Sequence, residues 1–205
     1  MALYEAIDTG AAKKAELLDK DFGRFAVRAV LAGIYLTLGT AFAAVAGNVA
    51  EKLAPGSGSI VFASLFGLGL FAIIVLGAEL ATGDMMFVSW SAARGNLGWG
   101  KAVWVVVVAT VFNLVGAILV ALMMSQSAKL GGMDNTHLIS TLTAGKLAKP
   151  ALGAFIEAVG ANFVVNMAVV GALKAPDIVS KFVVILPIIA IFVGLGLEPV
   201  SYTHL

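Results

Sequence analysis

Long stretches without charge bound what this chain can fold into. Ala29–Gly47 and Ile60–Ala78 are uncharged over 19 residues each, and Ala102–Ala128 over 27. Pro150–Leu173 carries a single charge, Glu157, in 24 residues. At about 1.5 Å of rise per residue, about 20 residues cross a hydrocarbon layer of about 30 Å, so these four runs read as spanning helices. A fifth run, Phe182–Leu197, has 16 residues, stops at Glu198-Pro199 and is long enough to cross part of the layer. The 205 residues are 60% apolar and 12% charged, whereas soluble domains run nearer half and a quarter. A net charge of +1 from scattered residues offers no nucleic-acid surface, and the lack of cysteine removes disulfide frameworks and thiolate metal sites. The class is all-α, a polytopic membrane helix bundle.

Residues 1–22 stand apart from 23–198. They mix Glu5, Asp8, Lys13, Lys14, Glu16, Asp19, Lys20 and Asp21, without the apolar centre of a cleavable signal peptide. Ala6, Ile7, Ala11, Leu17 and Leu18 fit an amphipathic helix lying at the membrane interface; a solvated helical tail fits as well. Lys13, Lys14, Lys20, Arg24, Arg28, Arg94, Lys101, Lys174 and Lys181 fall on one side of the layer, against Lys52, Lys129, Lys146 and Lys149 on the other. The richer side, with the N-terminus, is expected in the cytoplasm, which places the chain in the cell inner (plasma) membrane.

The second run hides an interruption. Residues 77–84 read Gly-Ala-Glu-Leu-Ala-Thr-Gly-Asp, and an uncharged segment then continues from Met85 to Ala93. Gly77, Thr82 and Gly83 loosen backbone, so the second helix is either discontinuous or ends near Thr82 with an interfacial turn after it. Gly196-Leu197-Glu198 echoes Gly77-Ala78-Glu79 after the fifth run. Paired interruptions in corresponding segments point to an inverted repeat whose broken second and fifth helices meet at a transport site.

Leu76-Gly77-Ala78-Glu79-Leu80-Ala81-Thr82-Gly83 resembles the first signature of the formate/nitrite transporter family, with Ala81 where a larger apolar residue is usual. Ala161-Asn162-Phe163-Val164-Val165-Asn166-Met167-Ala168 resembles the second, with Asn166 in place of a cysteine, and Phe112–Ala117 also fits. The resemblance runs from about Arg24 to Glu198. It implies an aquaporin-like architecture, a homopentamer in lipid, no cofactor or metal, and permeation of formate, nitrite, hydrosulfide or lactate, passive or proton-coupled. By the same resemblance Phe66, Leu70 and Phe192 narrow the pore, and Thr82 faces the anion. Lys146 supplies positive potential and Asn162 a hydrogen bond, while Glu79 and Glu198 hold the broken loops. The family places a histidine after the second Gly-x-Glu, followed by a sixth spanning helix. Here Pro199 stands there, and residues 199–205 look unlike any continuation of the family, as a truncated or chimeric reading frame would.

Other residues have plainer readings. Asn166 is expected to bond across helices, Glu157 to be interfacial, and Lys149 to snorkel. Gly56–Ser59 forms a turn, and His137 belongs to a polar loop with Asp134 and Asn135. The alternative function is a channel for water or a small neutral solute, against which no Asn-Pro-Ala pair occurs. An enzyme is not expected, because the sequence has no His-Glu-x-x-His and no paired aspartates at membrane depth.

Overall fold

The structure is a computed structural model that describes residues 2–147 and 149–195, the side chains of Lys146, Leu147 and Phe192 apart. These residues form α1 (Leu3–Lys20), α2 (Phe22–Leu53), α3 (Gly58–Leu76), α4 (Ala81–Ala93), α5 (Trp99–Ser125), α6 (Leu138–Leu147), α7 (Ala151–Lys174) and α8 (Ile178–Gly194). By length and composition α2, α3, α5 and α7 can each cross a membrane. Each matches one of the four long uncharged runs. Helix is forced there because lipid offers no partner to a backbone amide, so every such group must be satisfied within its own segment. The fifth run forms α8, 17 residues with Pro187 inside.

The membrane segments pack in a closed order. Helix α3 lies against α2, α2 against α5, α5 against α4, α4 against α7, α7 against α8, and α8 returns to α3. Small residues permit the closest of these approaches. A Cβ on Gly33 would sit 2.0 Å from the Asn113 carbonyl oxygen, and one on Gly116 would sit 2.0 Å from that of Val30. The α2 and α5 backbones therefore touch at this crossing, and any side chain at either glycine would drive them apart. Outward faces are apolar. Val103, Val107, Val111 and Ile118 on α5, and Leu152, Phe155, Val159 and Phe163 on α7, are all exposed. Such stripes are stable against acyl chains or another protein surface, and costly against water.

At one end α1 crosses the bundle. Ile7, Ala11, Ala15 and Leu18, spaced at helical intervals, are buried with Phe87, Val88 and Ala92 of α4 and Ala102 and Val105 of α5. Asp19 pairs with Lys101 at the start of α5, and Arg94 Nε lies 3.0 Å from Asp8 Oδ2. The apolar stripe of this helix is part of the protein core. Only Asp21 separates it from α2; the Asp21 amide closes α1 on Leu17, and its carboxylate accepts from the Arg24 amide. At the other end the structure adds α6, a helix within what the sequence reads as a loop. His137, read as a loop residue, precedes α6 and is buried.

Candidate functional site

The second helix is broken. Gly77 takes a left-handed conformation (φ 70°, ψ 39°) that closes α3 through its amide to the Ile73 carbonyl. Ala78, Glu79 and Leu80 are non-helical, and α4 begins at Ala81. The interruption is thus Gly77–Leu80, earlier than Thr82, which lies within the first turn of α4. Helix resumes there because the Ala81 amide finds a side-chain acceptor outside the segment.

That acceptor is Asn113, near the middle of α5. Its Oδ1 accepts from Ala81 N at 2.9 Å, and its Nδ2 donates to the carbonyls of Ala29 and Glu79, each at 2.8 Å. One amide side chain therefore ties α2, α5 and both sides of the break together. Arg28 adds two more links: its Nε donates to the Gly77 carbonyl at 2.6 Å, and its own carbonyl accepts from Glu79 N at 3.1 Å. Irregular backbone is tolerated at such depth only when protein satisfies it, and here side chains from α2 and α5 do so.

Charge beside the break is compensated. Glu79 and Asp84 are 4% and 1% exposed, deep enough that either alone would be costly. Lys14 of α1 pairs with Glu79 and lies 2.6 Å from Asp84 Oδ1, while Arg28 Nε lies 3.6 Å from the second Glu79 oxygen. Two cations thus meet two carboxylates. Burial pulls the Lys14 pKa down, but the fields of Asp84 and Glu79 more than offset it, and the ammonium stays above its usual value.

The residues singled out in the sequence distribute as follows. Phe66 and Leu70 are buried on α3 in one cluster with Ile73, Leu80 of the break, Ala161 and Val164 of α7, and Ile185 and Ile189 of α8. Phe66 also meets Phe62 with ring centroids 5.6 Å apart. Thr82 is 2% exposed, and its buried Oγ1 has no hydrogen-bond partner among the described residues. Asn162 donates to the Ala158 carbonyl at 2.9 Å, whereas its Oδ1, like that of Asn166 one turn on, is buried without a partner there. Asn166 was expected to bond across helices; no such bond to its Oδ1 occurs among the described residues. Lys149, expected to snorkel, places Nζ 2.6 Å from Glu157 Oε2. Lys146 and Phe192 belong by backbone to α6 and α8, but their side chains lie outside the described residues, as do Glu198 and the 199–205 tail.

Three residues that hold the break were not read from the sequence: Lys14, Arg28 and Asn113. Asn113 had a usable signal, an amide in the middle of a 27-residue uncharged run. Lys14 had none, since it is one of several cations in a charged helix.

Comparison with known proteins places this geometry. The family described as "Formate/nitrite transporter" matches residues 1–201. The nitrite transporter NirC of Escherichia coli strain K12 is 29% identical over 175 residues, which cover 85% of this chain; the matched region spans 63% of that transporter's length. A solved structure titled "FNT family ion channel" superposes with a TM-score of 0.90 at 27% identity, covering 98% of this chain and 80% of the other. A second, titled "Pentameric formate channel with formate bound", superposes at 0.72 and 23% identity over 88% of this chain and 72% of its own, and shares the fold.

Proposed function

The chain belongs to the formate/nitrite transporter family, and from that premise we propose that it forms a membrane pathway for small monovalent anions such as formate or nitrite, passive or proton-coupled. The observation that carries this reading is the unpaired, buried Thr82 hydroxyl in the first turn of α4, beside the break. A buried hydroxyl without a partner costs free energy unless something transient bonds to it. The first turn of a helix also directs its free amides, with partial positive charge, toward the same space. An anion entering there meets donors and a favourable dipole.

The same reading assigns the rest of the pathway. Phe66, Leu70 and Phe192 form apolar constrictions that reject hydrated cations. Lys146 draws anions to one mouth by focusing field in a low-dielectric cleft. Asn162 offers an amide on the way through. Lys14 and Arg28 keep Glu79 and Asp84 neutralised, so that the carboxylates beside the break do not repel the permeant ion. Binding stays weak at each station, as conduction requires. The N-terminus lies in the cytoplasm by the distribution of Lys and Arg, and the membrane is the inner (plasma) one. Assembly into a pentamer covers part of the exposed apolar stripes on α5 and α7, and lipid covers the remainder.

Uptake of formate or nitrite into proteoliposomes tests this. Thr82→Val keeps the shape and removes the hydroxyl; a lost hydrogen bond to a charged partner lowers flux by about tenfold. Lys146→Ala lowers it at low salt and less at high salt. Wild-type flux from both variants ends the proposal, and swelling that is independent of the anion replaces it with a neutral-solute channel.

A further inference from the structure

A second polar feature lies at the opposite end of α2 from the break. A cavity of about 260 Å³ opens between the C-terminal end of α2 and the segment that links α5 to α6. Asn48, Lys52, Lys129, Asp134, Thr136 and His137 provide its polar lining, with Val45, Val49 and Met133 as its apolar side. It plays no part in the proposed pathway.

Its hydrogen-bonding capacity is one-sided. Asn48 Oδ1 accepts from the Leu138 amide at 3.2 Å, and His137 Nδ1 accepts from the Ile139 amide at 3.3 Å. The start of α6 therefore occupies the acceptor atom of each side chain, leaving the Asn48 Nδ2 and His137 Nε2–H donors. Burial and the nearby Lys52 charge hold the His137 pKa below its usual value, which favours the neutral ring, and the bond from Ile139 N to Nδ1 then places its proton on Nε2. Neither Lys52 nor Lys129 pairs with a carboxylate among the described residues. The carboxylate that lines the cavity, Asp134, accepts from both Thr136 N and Thr136 Oγ1 through Oδ1, and its negative charge offsets part of the field of Lys52 and Lys129. The cavity presents the Asn48 and His137 donors and a net positive charge, two lysines against the one carboxylate of Asp134.

Its position names the ligand. Lys52 is one residue from the end of a membrane-length helix, and Val49 and Met133 are exposed on the apolar side of the opening. Phosphate of a membrane lipid sits at this level, with its acyl chains against just such residues. The volume lies below the range of about 300–1,000 Å³ that encloses a whole small-molecule ligand, and suits a headgroup whose tails remain outside. We propose that Asn48, Lys52, Lys129 and His137 bind the headgroup phosphate of an anionic phospholipid. The proposal needs only that α2 and α5 span a membrane, and it stands whether or not the chain conducts anions.

Native mass spectrometry of the full chain in a neutral detergent, titrated with phosphatidylglycerol, tests it. Each lysine near a lipid surface contributes enough that Lys52→Gln with Lys129→Gln weakens binding about thirtyfold. Ala128→Trp, a change at an exposed position lining the cavity, obstructs it without altering charge and weakens binding to a similar degree. Phosphatidylcholine binds more weakly than phosphatidylglycerol, and millimolar inorganic phosphate does not displace the lipid. Unchanged affinity in both variants, or equal binding of the two lipids, overturns the proposal. Full displacement by inorganic phosphate also overturns it, in favour of a site for free anions.

Discussion

Helix α3 is bounded by two interruptions that use similar parts in different surroundings. Before it, Ala54–Ser57 turns at the surface; after it, Gly77–Leu80 breaks inside the bundle. Each contains a glycine with positive φ, 89° at Gly56 and 70° at Gly77, and each has a carboxylate close by. At the surface turn Glu51, only five and seven residues upstream, accepts from the amides of Gly56 and Gly58, both at 2.9 Å. At the buried break the partners come from far along the chain: Arg28 from α2, Asn113 from α5 and Lys14 from α1. Water would satisfy the first turn if Glu51 were lost. Nothing in a lipid layer would satisfy the second, so the same irregular backbone there requires three other helices.

The comparison is broken most severely by removing a cation from the buried side. Lys14→Met leaves Glu79 and Asp84 facing each other with Arg28 as their remaining cation, and loss of one partner from a buried pair costs about 3–5 kcal/mol. Chemical unfolding in detergent should show that loss, and anion flux should fall with it because uncompensated carboxylates then border the break. Lys20→Met removes the exposed partner of Glu16 and should leave stability unchanged, as surface pairs contribute little. Equal stability of the Lys14 and Lys20 variants would mean that the break does not depend on α1. Asn113→Leu comes next. It orphans the Ala81 amide and the Glu79 carbonyl in the interior, while the Ala29 carbonyl keeps its bond within α2, at about 1–3 kcal/mol for each group left without a partner, less whatever relaxation recovers. Loss of amide-exchange protection at Ala81 would locate the damage at the restart of α4.

This contrast also governs what could be read in advance. Uncharged runs specify spanning helices because one physical condition, apolar length, decides them, and all four appear where the runs lie. Gly77 with Glu79 and Thr82 marks an interruption because residues that loosen backbone and a buried carboxylate coincide within a few positions. The limits of the break were misplaced toward Thr82 because they depend on Asn113, 32 residues from Ala81, offering a carbonyl to the amide that restarts the helix. Likewise, nothing local distinguishes Lys14 from Lys13 or Lys20; only the packing of Ile7, Ala11, Ala15 and Leu18 turns it toward the carboxylates. The start of α6 depends on Asn48, 90 residues earlier in the chain, so His137 reads as an isolated loop residue until α2 is placed beside it.

Matched glycine substitutions sharpen the comparison further. Gly56→Ala and Gly77→Ala both force a side chain into the left-handed region, at about 1–2 kcal/mol each from that conformation alone. A Cβ at Gly56 meets nothing within 4 Å, whereas one at Gly77 approaches an Arg28 guanidinium nitrogen at 3.0 Å. The Arg28 side chain can swing aside, but it then gives up its bond to the Gly77 carbonyl. Gly77→Ala should therefore lower the unfolding midpoint more than Gly56→Ala, and it alone should alter flux.

The smallest effect is expected from Glu51→Gln. The amide oxygen can still accept from one of the two turn amides, and water reaches the other, so only the charge assistance to those bonds is lost. The unfolding midpoint should shift less than in Gly56→Ala, with flux unchanged. A drop as large as that of Asn113→Leu would show that the surface turn also depends on its carboxylate as the break depends on its amide. The difference between the two interruptions would then lie in their sequence separation and not in access to water.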